Sequence, residues 1–394
     1  MSIYNIKKFS EIENFYKNKK SNMPFNDEVI NMFDRVSKHI LTNKKYVEYK
    51  DIFTFGFWCR RQNLLLLKKN LVINKNKIGY GVIFHVPPSN IPILAIYSLA
   101  FGMLTGNSNI IRVSKNCKNY IKNFIKVLEQ EINKSNLLKN SNLFISYERD
   151  DTINEKLSFY SDARIIWGGD HTINKFKKFE INPKNIDLMF GDKVSFSIIN
   201  TTKLKKMTNK EMINFVKDFY NDTFIVDQNA CSSPSFVFWV GKKNKNIELF
   251  WDNLQILVKK NYSLTHSLVL KRFEYLNKIL LENKNLQLID DENKNFYRIN
   301  LKNKTDIQNL RGFAGIFFEK NLDNLKKISK YLYPKIQTIT YYGISNYEFQ
   351  KLYPLFSAKN SIDRIIPIGR SLEIDFVWDG KNIYEYLTRQ ITLN

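Results

Sequence analysis

The feature that most constrains this 394-residue chain is an alternation of strand-like and helical segments that begins near residue 78. Short β-rich segments alternate with an apolar helical segment at 91–104 and with longer amphipathic segments. The predicted strands include GVIFHV at 81–86, NIIRV at 109–113, LFIS at 143–146, RIIW at 164–167 and VSFSII at 194–199. This alternation predicts an α/β fold with a mainly parallel sheet and helices on both faces.

The segment after Ser114 has the helical pattern with the most regular spacing. Its apolar residues recur three or four positions apart, at Ile121, Phe124, Ile125, Leu128 and Ile132. Serine is a favourable N-cap because its hydroxyl accepts a hydrogen bond from a free backbone N–H of the first turn. The sequence therefore predicts a helix here with Ser114 as its N-cap.

Composition narrows the class of protein. The chain is 43% hydrophobic and 14% aromatic, which is typical of a soluble globular protein. Its charged N-terminal segment lacks the apolar run of a signal peptide, and the apolar segment at 91–104 is too short to cross a bilayer. The three cysteines, Cys59, Cys117 and Cys231, form no CxxC pair. We therefore expect a cytoplasmic protein without a transmembrane segment, disulfide framework or metal site.

The formal net charge of +23 raises the question of an anionic partner. Lysine is scattered among asparagine and isoleucine along the whole chain, however, and is not gathered on one element or interleaved with aromatic residues. This distribution predicts no nucleic-acid partner and favours attraction of acidic substrates or a phosphate-rich cofactor. A basic binding protein on an inactive enzyme scaffold remains an alternative.

Cys231 lies within NDTFIVDQNACSSPSFVFWV, where small polar residues interrupt two apolar segments. A free cysteine is usually a small buried hydrophobic residue. The alternative is a nucleophile on a turn, flanked by groups that can hold an oxyanion. The pair Gly168-Gly169 is also open to two interpretations. It follows the predicted strand RIIW and precedes a helix, where it forms either a simple tight turn or a phosphate contact.

Three motifs in order carry a family resemblance. They are VPPSNIPILAIYSLAFGMLTGNSNIIRVSKN at 86–116, DLMFGDKVSF at 187–196 and DQNACSSP at 227–234. Together they resemble the aldehyde dehydrogenase superfamily and, within it, the long-chain acyl-CoA reductase (LuxC) family. The resemblance implies an aldehyde dehydrogenase-like fold, with a mainly parallel cofactor domain and a second α/β catalytic domain.

The resemblance also implies a domain division. We expect an N-terminal and dinucleotide-binding domain over 1–202 and a domain with the catalytic thiol over 203–365. A C-terminal segment over 366–394 is expected to pack back or to mediate oligomerisation. Because no long linker separates the two regions, the ligand is expected in a cleft between them.

Two residues take catalytic roles by resemblance. Cys231 matches the catalytic thiol, although one extra residue separates it from Gln228 compared with ordinary aldehyde dehydrogenases. Asn90 matches the asparagine whose amide donates to the oxyanion, and its alternative role is to cap the following helix. His85 and His171 are further proton-donor hypotheses, but a lone histidine beside a strand is more often structural.

The implied cofactor is NADPH. Arg112 matches the basic residue that contacts the adenosine ribose or its 2′-phosphate, together with Gly106 and Asn107. An arginine suits a 2′-phosphate because its planar fork can donate to two oxygens. Gly168 and Gly169 match the Gly-Ser turn beside the cofactor pyrophosphate, although Gly-Asp replaces Gly-Ser here.

The implied activity is reduction of an acyl thioester to a fatty aldehyde through an acyl-cysteine intermediate. Met189 stands where oxidising aldehyde dehydrogenases have the glutamate that activates water, which favours a reductase. The implied partners are an acyl-CoA or acyl-carrier substrate, an acyl-protein synthetase and further copies of the chain in a homo-oligomer. The alternative is an ordinary NAD(P)-dependent aldehyde dehydrogenase whose base has moved to Asp192 or Asp227.

Overall fold

The computed structural model describes residues 4–5, 9–71, 76–115, 117–289, 295–302 and 305–392. The chain forms two compact units. Unit 1 comprises Met1–Gly191 and Ile374–Asn394, and unit 2 comprises Asp192–Glu373. The units thus divide after residues 191 and 373, whereas the sequence predicts boundaries after 202 and 365.

From residue 82 onward, strands and helices alternate along the N-terminal part of unit 1. This part contains the strands β1 (Tyr4–Asn5), β2 (Lys77–Gly79), β3 (Val82–Val86), β4 (Ser108–Arg112), β5 (Asn142–Ser146), β6 (Ala163–Trp167) and β7 (Ile186–Phe190). Its helices are α1 (Phe9–Lys17), α2 (Asp27–Thr42), α3 (Lys50–Trp58), α4 (Arg61–Asn70), α5 (Leu94–Leu104), α6 (Asn119–Ile132), α7 (Asn136–Lys139), α8 (Asp151–Phe159) and α9 (Asp170–Phe176), with a 3₁₀ helix at Lys44–Tyr46.

Unit 2 contains the strands β8 (Val194–Asn200), β9 (Pro234–Val240), β10 (Leu286–Ile289), β11 (Tyr297–Leu301), β12 (Ile316–Leu322), β13 (Ile336–Tyr342) and β14 (Arg364–Pro367). Its helices are α10 (Thr201–Leu204), α11 (Asn209–Thr223), α12 (Lys245–Asn261), α13 (His266–Glu282), α14 (Asn346–Gln350) and α15 (Tyr353–Ala358), with 3₁₀ helices at Phe224–Val226 and Leu325–Tyr331. The chain then returns to unit 1 with β15 (Val377–Trp378), β16 (Lys381–Asn382), α16 (Ile383–Tyr386) and β17 (Thr388–Gln390).

The main sheet of unit 1 is parallel throughout, in the order β1-β5-β4-β3-β6-β7. Every residue of the inner strand β3 is buried, which explains why four of its five residues are apolar. From β3 the chain adds β4 and β5 on one side and then β6 and β7 on the other. The carboxyl ends of β3 and β6 therefore flank the switch point, where ligands of open α/β sheets usually bind.

Helix α5 confirms the prediction of a buried apolar helix, because every residue from Ala95 to Leu104 is buried. The helix α6 is also confirmed, and its five predicted apolar residues all lie in the core. The N-cap prediction is wrong, since the cap is Lys118. The Ser114 carbonyl instead accepts a hydrogen bond from the Cys117 N–H at 3.0 Å, and Cys117 lies in the core. No helix in the described ranges is both long and apolar enough to span a bilayer.

The sheet of unit 2 has the order β10-β11-β12-β9-β8-β13-β14. The pair β10–β11 is antiparallel and all the other neighbours are parallel. Strand β8 pairs with both β9 and β13, so residues 194–200 belong to this sheet and not to the sheet of unit 1. With both main sheets mainly parallel and flanked by helices, the α/β expectation is confirmed.

A buried carboxylate ties the strands of unit 2 together. Glu319 on β12 accepts hydrogen bonds from the indole N–H groups of Trp239 on β9 and Trp251 on α12, at 2.8 and 3.0 Å. Arg298 on β11 pairs with the same carboxylate at 2.8 Å. Because its donors come from three other elements, the buried charge is compensated and the strands β9, β11 and β12 are held in register.

The C-terminal residues pack on the N-terminal part of unit 1. Strand β17 pairs antiparallel with β2, and the Trp58 indole N–H donates to the Ile374 carbonyl at 2.9 Å. The Lys381 ammonium donates to the Met189 carbonyl at 2.9 Å and so ties this segment to the end of β7. Residues 374–392 therefore complete unit 1 rather than continuing unit 2.

His85 is a structural residue at the centre of unit 1. Its ring nitrogens lie 2.8 Å from the Ser98 hydroxyl on α5 and 3.0 Å from the Asn109 side-chain oxygen on β4. The ring is fully buried, and this burial lowers its pKa from 6.5 to about 4. A group held neutral in this way links β3 to its neighbours and is poorly suited to donate protons at neutral pH.

The buried ring predicts how stability depends on pH. Because the folded-state pKa is depressed, the contribution of His85 is fully present above pH 6.5 and is lost as the pH falls towards 4. The wild type should lose about 2 to 3 kcal/mol more of its free energy of unfolding between pH 7 and pH 4 than His85→Gln loses. Urea denaturation at both values measures the difference. The exposed His171, replaced by Gln, is the control, and a wild-type-like loss in His85→Gln would contradict the prediction.

Candidate active site

Cys231 lies in unit 2 on the turn that leads into β9. The turn follows the 3₁₀ helix Phe224–Val226 and contains two consecutive residues with left-handed backbones, Asp227 (φ 51°) and Gln228 (φ 57°). Residues other than glycine in this region cost of order 1–3 kcal/mol each, and they persist only where the surrounding structure enforces them. Such backbone strain is concentrated at functional sites in proteins, which makes this turn a candidate site.

The side chain of Gln228 enforces this turn. Its amide is buried and donates to the carbonyls of Pro234 at 2.9 Å and Ile316 at 3.1 Å, while its oxygen accepts from the Gly315 N–H at 3.0 Å. The donors and the acceptor of the amide are thus all used within unit 2. Since Pro234 begins β9 and Ile316 begins β12, one buried amide fixes the turn before β9 to the turn before β12.

The thiol of Cys231 is half-buried and lies beside a cation. The Arg311 Nη2 is 3.9 Å from the Cys231 Sγ, and the Arg311 Nη1 is 3.4 Å from the Asp192 Oδ1. The Ser195 hydroxyl donates to the Cys231 carbonyl at 2.6 Å, which fixes the backbone that carries the thiol. A partly accessible cysteine next to a guanidinium has the environment of reactive cysteines.

The other cysteines have a different environment. Cys59 and Cys117 are buried in the core of unit 1, and burial raises the pKa of both thiols. Buried thiols in apolar surroundings are inert. The structural interpretation of a free cysteine therefore applies to these two residues and not to Cys231.

Parallel pairing explains why these groups meet. Asp192 precedes β8, Cys231 precedes β9 and Arg311 precedes β12, and these three strands are adjacent and parallel. Residues that precede parallel neighbours lie at the same, amino-terminal edge of a sheet. Sequence reasoning missed Arg311, because Arg311 and Cys231 are 80 positions apart. The available signal was an arginine just before the apolar segment AGIFFE at 314–319, but its use required the strand order.

Asn90 lies in unit 1 between β3 and α5, at the carboxyl edge of the parallel sheet. It is exposed, and within the described part of the chain its side chain makes no hydrogen bond. The N-cap of α5 is Ile93, without a side-chain cap, so the capping interpretation of Asn90 is wrong. Its amide is available for another role, and the oxyanion assignment stays a prediction.

Arg112, Gly168 and Gly169 lie at the same carboxyl edge of unit 1. Arg112 ends β4, with its guanidinium carbon 4.7 Å from the centroid of the Tyr147 ring. The Arg112 Nε is buried and finds no hydrogen-bond partner among the described residues. Gly168 and Gly169 follow β6, and a Cβ added to Gly168 would come within 3.1 Å of the Thr172 side chain. The sheet thus collects a basic group and a glycine turn at its switch point.

Gly106 and Asn107 do not join this group. They precede β4 and so lie at the opposite, amino-terminal edge of the sheet from Arg112. The Asn107 amide donates to the Thr105 hydroxyl at 2.8 Å and to the Leu387 carbonyl at 2.9 Å, and its oxygen accepts from the Gly81 N–H at 2.8 Å. Their observed role is to shape a turn, and we do not assign them to the cofactor site.

Met189 and His171 both lie in unit 1. Met189 lies on β7 and packs against an apolar cluster that includes Val86, Ile166 and Ile173. Its thioether offers no group that could accept a proton from water. His171 is exposed in the first turn of α9.

Comparison with solved structures shows which fold the chain has. The glyceraldehyde-3-phosphate dehydrogenase GapN of Methanocaldococcus jannaschii, solved with NADP, matches with a TM-score of 0.64 at 12% identity, over 99% of this chain and 97% of that chain. The 1-pyrroline-5-carboxylate dehydrogenase of Thermus thermophilus matches with a TM-score of 0.66 at 9% identity, over 96% and 84%. This chain therefore has the aldehyde dehydrogenase fold, as its sequence motifs predict.

Comparison of sequences defines the family. Residues 67–293, more than half of the chain, match the acyl-CoA reductase (LuxC) family, and the chain belongs to that family. The long-chain acyl-protein thioester reductase of Aliivibrio fischeri is 28% identical over 181 residues, and that of Vibrio harveyi is 25% identical over 172 residues. These matches cover 44% and 43% of this chain and 34% of each relative, about a third of its length.

The different environments of the three thiols lead to a prediction about alkylation. The native protein should take up one equivalent of iodoacetamide at Cys231 before the buried Cys59 and Cys117 react, because only a partly accessible thiol is attacked without unfolding. Intact-mass measurement over time, followed by peptide mapping, identifies the site. Cys231→Ser should remain almost unmodified on the same timescale. First modification at Cys59 or Cys117 would contradict the structural assignment.

Proposed function

We propose that this chain reduces an acyl thioester to an aldehyde through an acyl group bound covalently to Cys231. The observation that carries the proposal is the half-buried Cys231 thiol on a strained turn, with the Arg311 guanidinium 3.9 Å from its sulfur. Membership of the acyl-CoA reductase family supports the same reaction. The curated relatives are named as long-chain acyl-protein thioester reductases, which supports a long-chain acyl substrate.

In the proposed first step, the Cys231 thiolate attacks the carbonyl carbon of the acyl donor. A bond forms between this carbon and Sγ, the carbon–sulfur bond of the donor breaks, and the donor leaves as a thiolate that takes up a proton. The donor is an acyl-CoA, an acyl carrier or an acyl group on a partner enzyme such as an acyl-protein synthetase. Asn90 is proposed to donate to the oxyanion, because a neutral amide stabilises developing negative charge without ionising.

The second step is reduction of the bound acyl group. A reduced nicotinamide cofactor supplies the hydride for this step when it is bound. Cys231 then leaves the resulting thiohemiacetal as a thiolate, and the aldehyde is released. Cys231 returns to its starting form, so the chain itself is neither oxidised nor reduced over one cycle.

The carboxyl edge of unit 1 fits a nicotinamide dinucleotide. The switch point of a doubly wound sheet is the usual place for such a ligand, and the glycine turn after β6 allows the close approach that a pyrophosphate needs. The buried Arg112 Nε, which has no partner among the residues that the structure describes, and the Tyr147 ring beside the guanidinium suit the adenosine end. We propose that Arg112 contacts the ribose or its 2′-phosphate and that NADPH is the preferred cofactor.

The oxidising alternative has weaker support from the geometry. A water-activating base needs a free carboxylate, but Asp192 pairs with Arg311 and Asp227 accepts a hydrogen bond from the Tyr262 hydroxyl at 2.8 Å. Met189, in place of the usual glutamate, cannot activate water. Product analysis separates the two reactions. Steady formation of carboxylate from an aldehyde and NAD(P)⁺ would favour the oxidising dehydrogenase.

The central test is acyl transfer without reduction. Incubated with a panel of acyl-CoAs and no NADPH, the wild type should gain the mass of one acyl group, mapped to Cys231. Cys231→Ser should neither become acylated nor form aldehyde, whereas Cys59→Ser and Cys117→Ser should do both. Persistent acylation of Cys231→Ser at another cysteine would overturn the assignment. The acyl chain that labels fastest identifies the preferred substrate.

The role of Asn90 has its own test. Asn90→Ala should lower turnover by roughly 10² to 10³-fold, the usual effect of removing one oxyanion donor, with little change in NADPH affinity. Because Asn90 is exposed and caps no helix, the thermal midpoint should stay at the wild-type value. Turnover is measured by NADPH oxidation and affinity by fluorescence titration. Normal turnover in the variant would remove Asn90 from the mechanism.

A further inference from the structure

We propose that Arg311 is the positioning residue that favours the thiolate form of Cys231 and fixes the position of its sulfur. Asp192 anchors the Arg311 guanidinium. The inference deepens the proposed function and rests on it for the meaning of the nucleophile. It assigns a role to Arg311 and a non-basic role to Asp192, neither of which follows from the motifs around them.

The geometry of the Arg311 guanidinium links its two partners. Its planar fork fixes the directions of its donors, so a partner at one nitrogen determines where the other nitrogen points. Here Nη1 pairs with the Asp192 carboxylate at 3.4 Å and Nη2 lies 3.9 Å from the Cys231 sulfur. The carboxylate therefore directs the second nitrogen to the sulfur.

The backbone of Arg311 is held without its side chain. The Tyr275 hydroxyl on α13 donates to the Arg311 carbonyl at 2.8 Å and accepts from the Arg311 N–H at 2.9 Å. This hydroxyl therefore bonds both polar groups of the Arg311 backbone without any contribution from the Arg311 side chain. A substitution at Arg311 should therefore change the charge beside the thiol more than it changes the fold.

The charge of Arg311 acts on the Cys231 thiol. The thiolate is the nucleophilic form of cysteine, and an adjacent arginine favours it. The side chains of Arg311 and Asp192 are 36% and 47% exposed, so water screens the interaction and the effect is moderate. Of the neighbouring charges in unit 2, the Asp227 carboxylate accepts from Tyr262, and Lys193 donates to the Pro334 carbonyl at 3.1 Å and pairs with Asp363 at 3.9 Å.

The experiment measures the rate of iodoacetamide alkylation at Cys231 in the full chain as a function of pH. In Arg311→Gln the midpoint of the pH profile should rise by about one pH unit, and the rate at pH 7 should fall roughly tenfold. Arg311→Lys should retain part of the effect, because it keeps the charge but loses the fork. The matched control is Arg370→Gln, which removes an arginine that pairs with Glu373, and it should follow the wild-type profile.

A second measurement needs no variant. Raising the KCl concentration from about 0.05 to about 1 M should move the wild-type midpoint towards that of Arg311→Gln, since salt screens a partly exposed pair. A profile that is unchanged both in Arg311→Gln and in high salt would overturn the inference. A profile that shifts in Arg370→Gln as much as in Arg311→Gln would overturn it too, because the effect would then come from net charge alone.

Acylation separates this inference from the proposed function. If acyl-CoA labels Cys231 at the same rate in the wild type and Arg311→Gln, the thioester chemistry stands and the role of Arg311 fails. If the alkylation profile shifts as expected but no acyl thioester labels the wild type, the role of Arg311 at the thiol is supported and the proposed function fails. Labelling of the wild type that slows about tenfold at pH 7 in Arg311→Gln and is partly restored in Arg311→Lys supports both.

Discussion

The parallel pairing of β8, β9 and β12 decides which side chains meet at the proposed nucleophile, Cys231. Ligands of open α/β sheets usually meet the carboxyl ends of the strands, and the proposed cofactor residues Arg112, Gly168 and Gly169 lie at that edge of unit 1. Unit 2 places its thiol at the opposite kind of edge, where β9 begins. Because parallel neighbours begin at the same edge, the segments before β8 and β12 supply the carboxylate and the guanidinium there.

The buried side-chain amide of Gln228 holds this edge of the unit 2 sheet in place although its backbone is strained. Two left-handed residues, Asp227 and Gln228, would relax in an isolated peptide, and a third, Ala314 with φ 49°, lies in the facing segment before β12. The Gln228 side chain bonds to both segments and leaves none of its donors or acceptors unused. The strands β9 and β12, which begin at the partners of this amide, are held together by Glu319 and its hydrogen-bond donors. The thiol is thus presented by a turn that the sheet itself enforces.

The departures from an oxidising aldehyde dehydrogenase agree with one another. Met189 on β7 takes the place of the usual glutamate. Asp227, which is near the thiol in sequence, accepts a hydrogen bond from Tyr262, and Asp192, which is near it in space, pairs with Arg311. A reductase of thioesters has no need of a water-activating base, and a carboxylate that anchors an arginine serves it better. The net charge of +23 is compatible with this chemistry, since both proposed ligands carry phosphates.

The sequence by itself predicted several elements and singled out Cys231 as the candidate nucleophile. The apolar pattern predicted β3, α5, β4, α6 and β6, because continuous burial and helical spacing are local properties of the chain. The motif around Cys231 predicted the thiol, and the family resemblance predicted the fold. The tertiary structure alone decided the rest. It places β8 in unit 2 and shows that Lys118, not Ser114, is the N-cap of α6. It also separates Gly106 and Asn107 from Arg112. Finally, it brings the Arg311 guanidinium close to the Cys231 sulfur. These outcomes depend on which strands are neighbours, and strand order is set by packing between segments far apart in the chain, which no local pattern encodes.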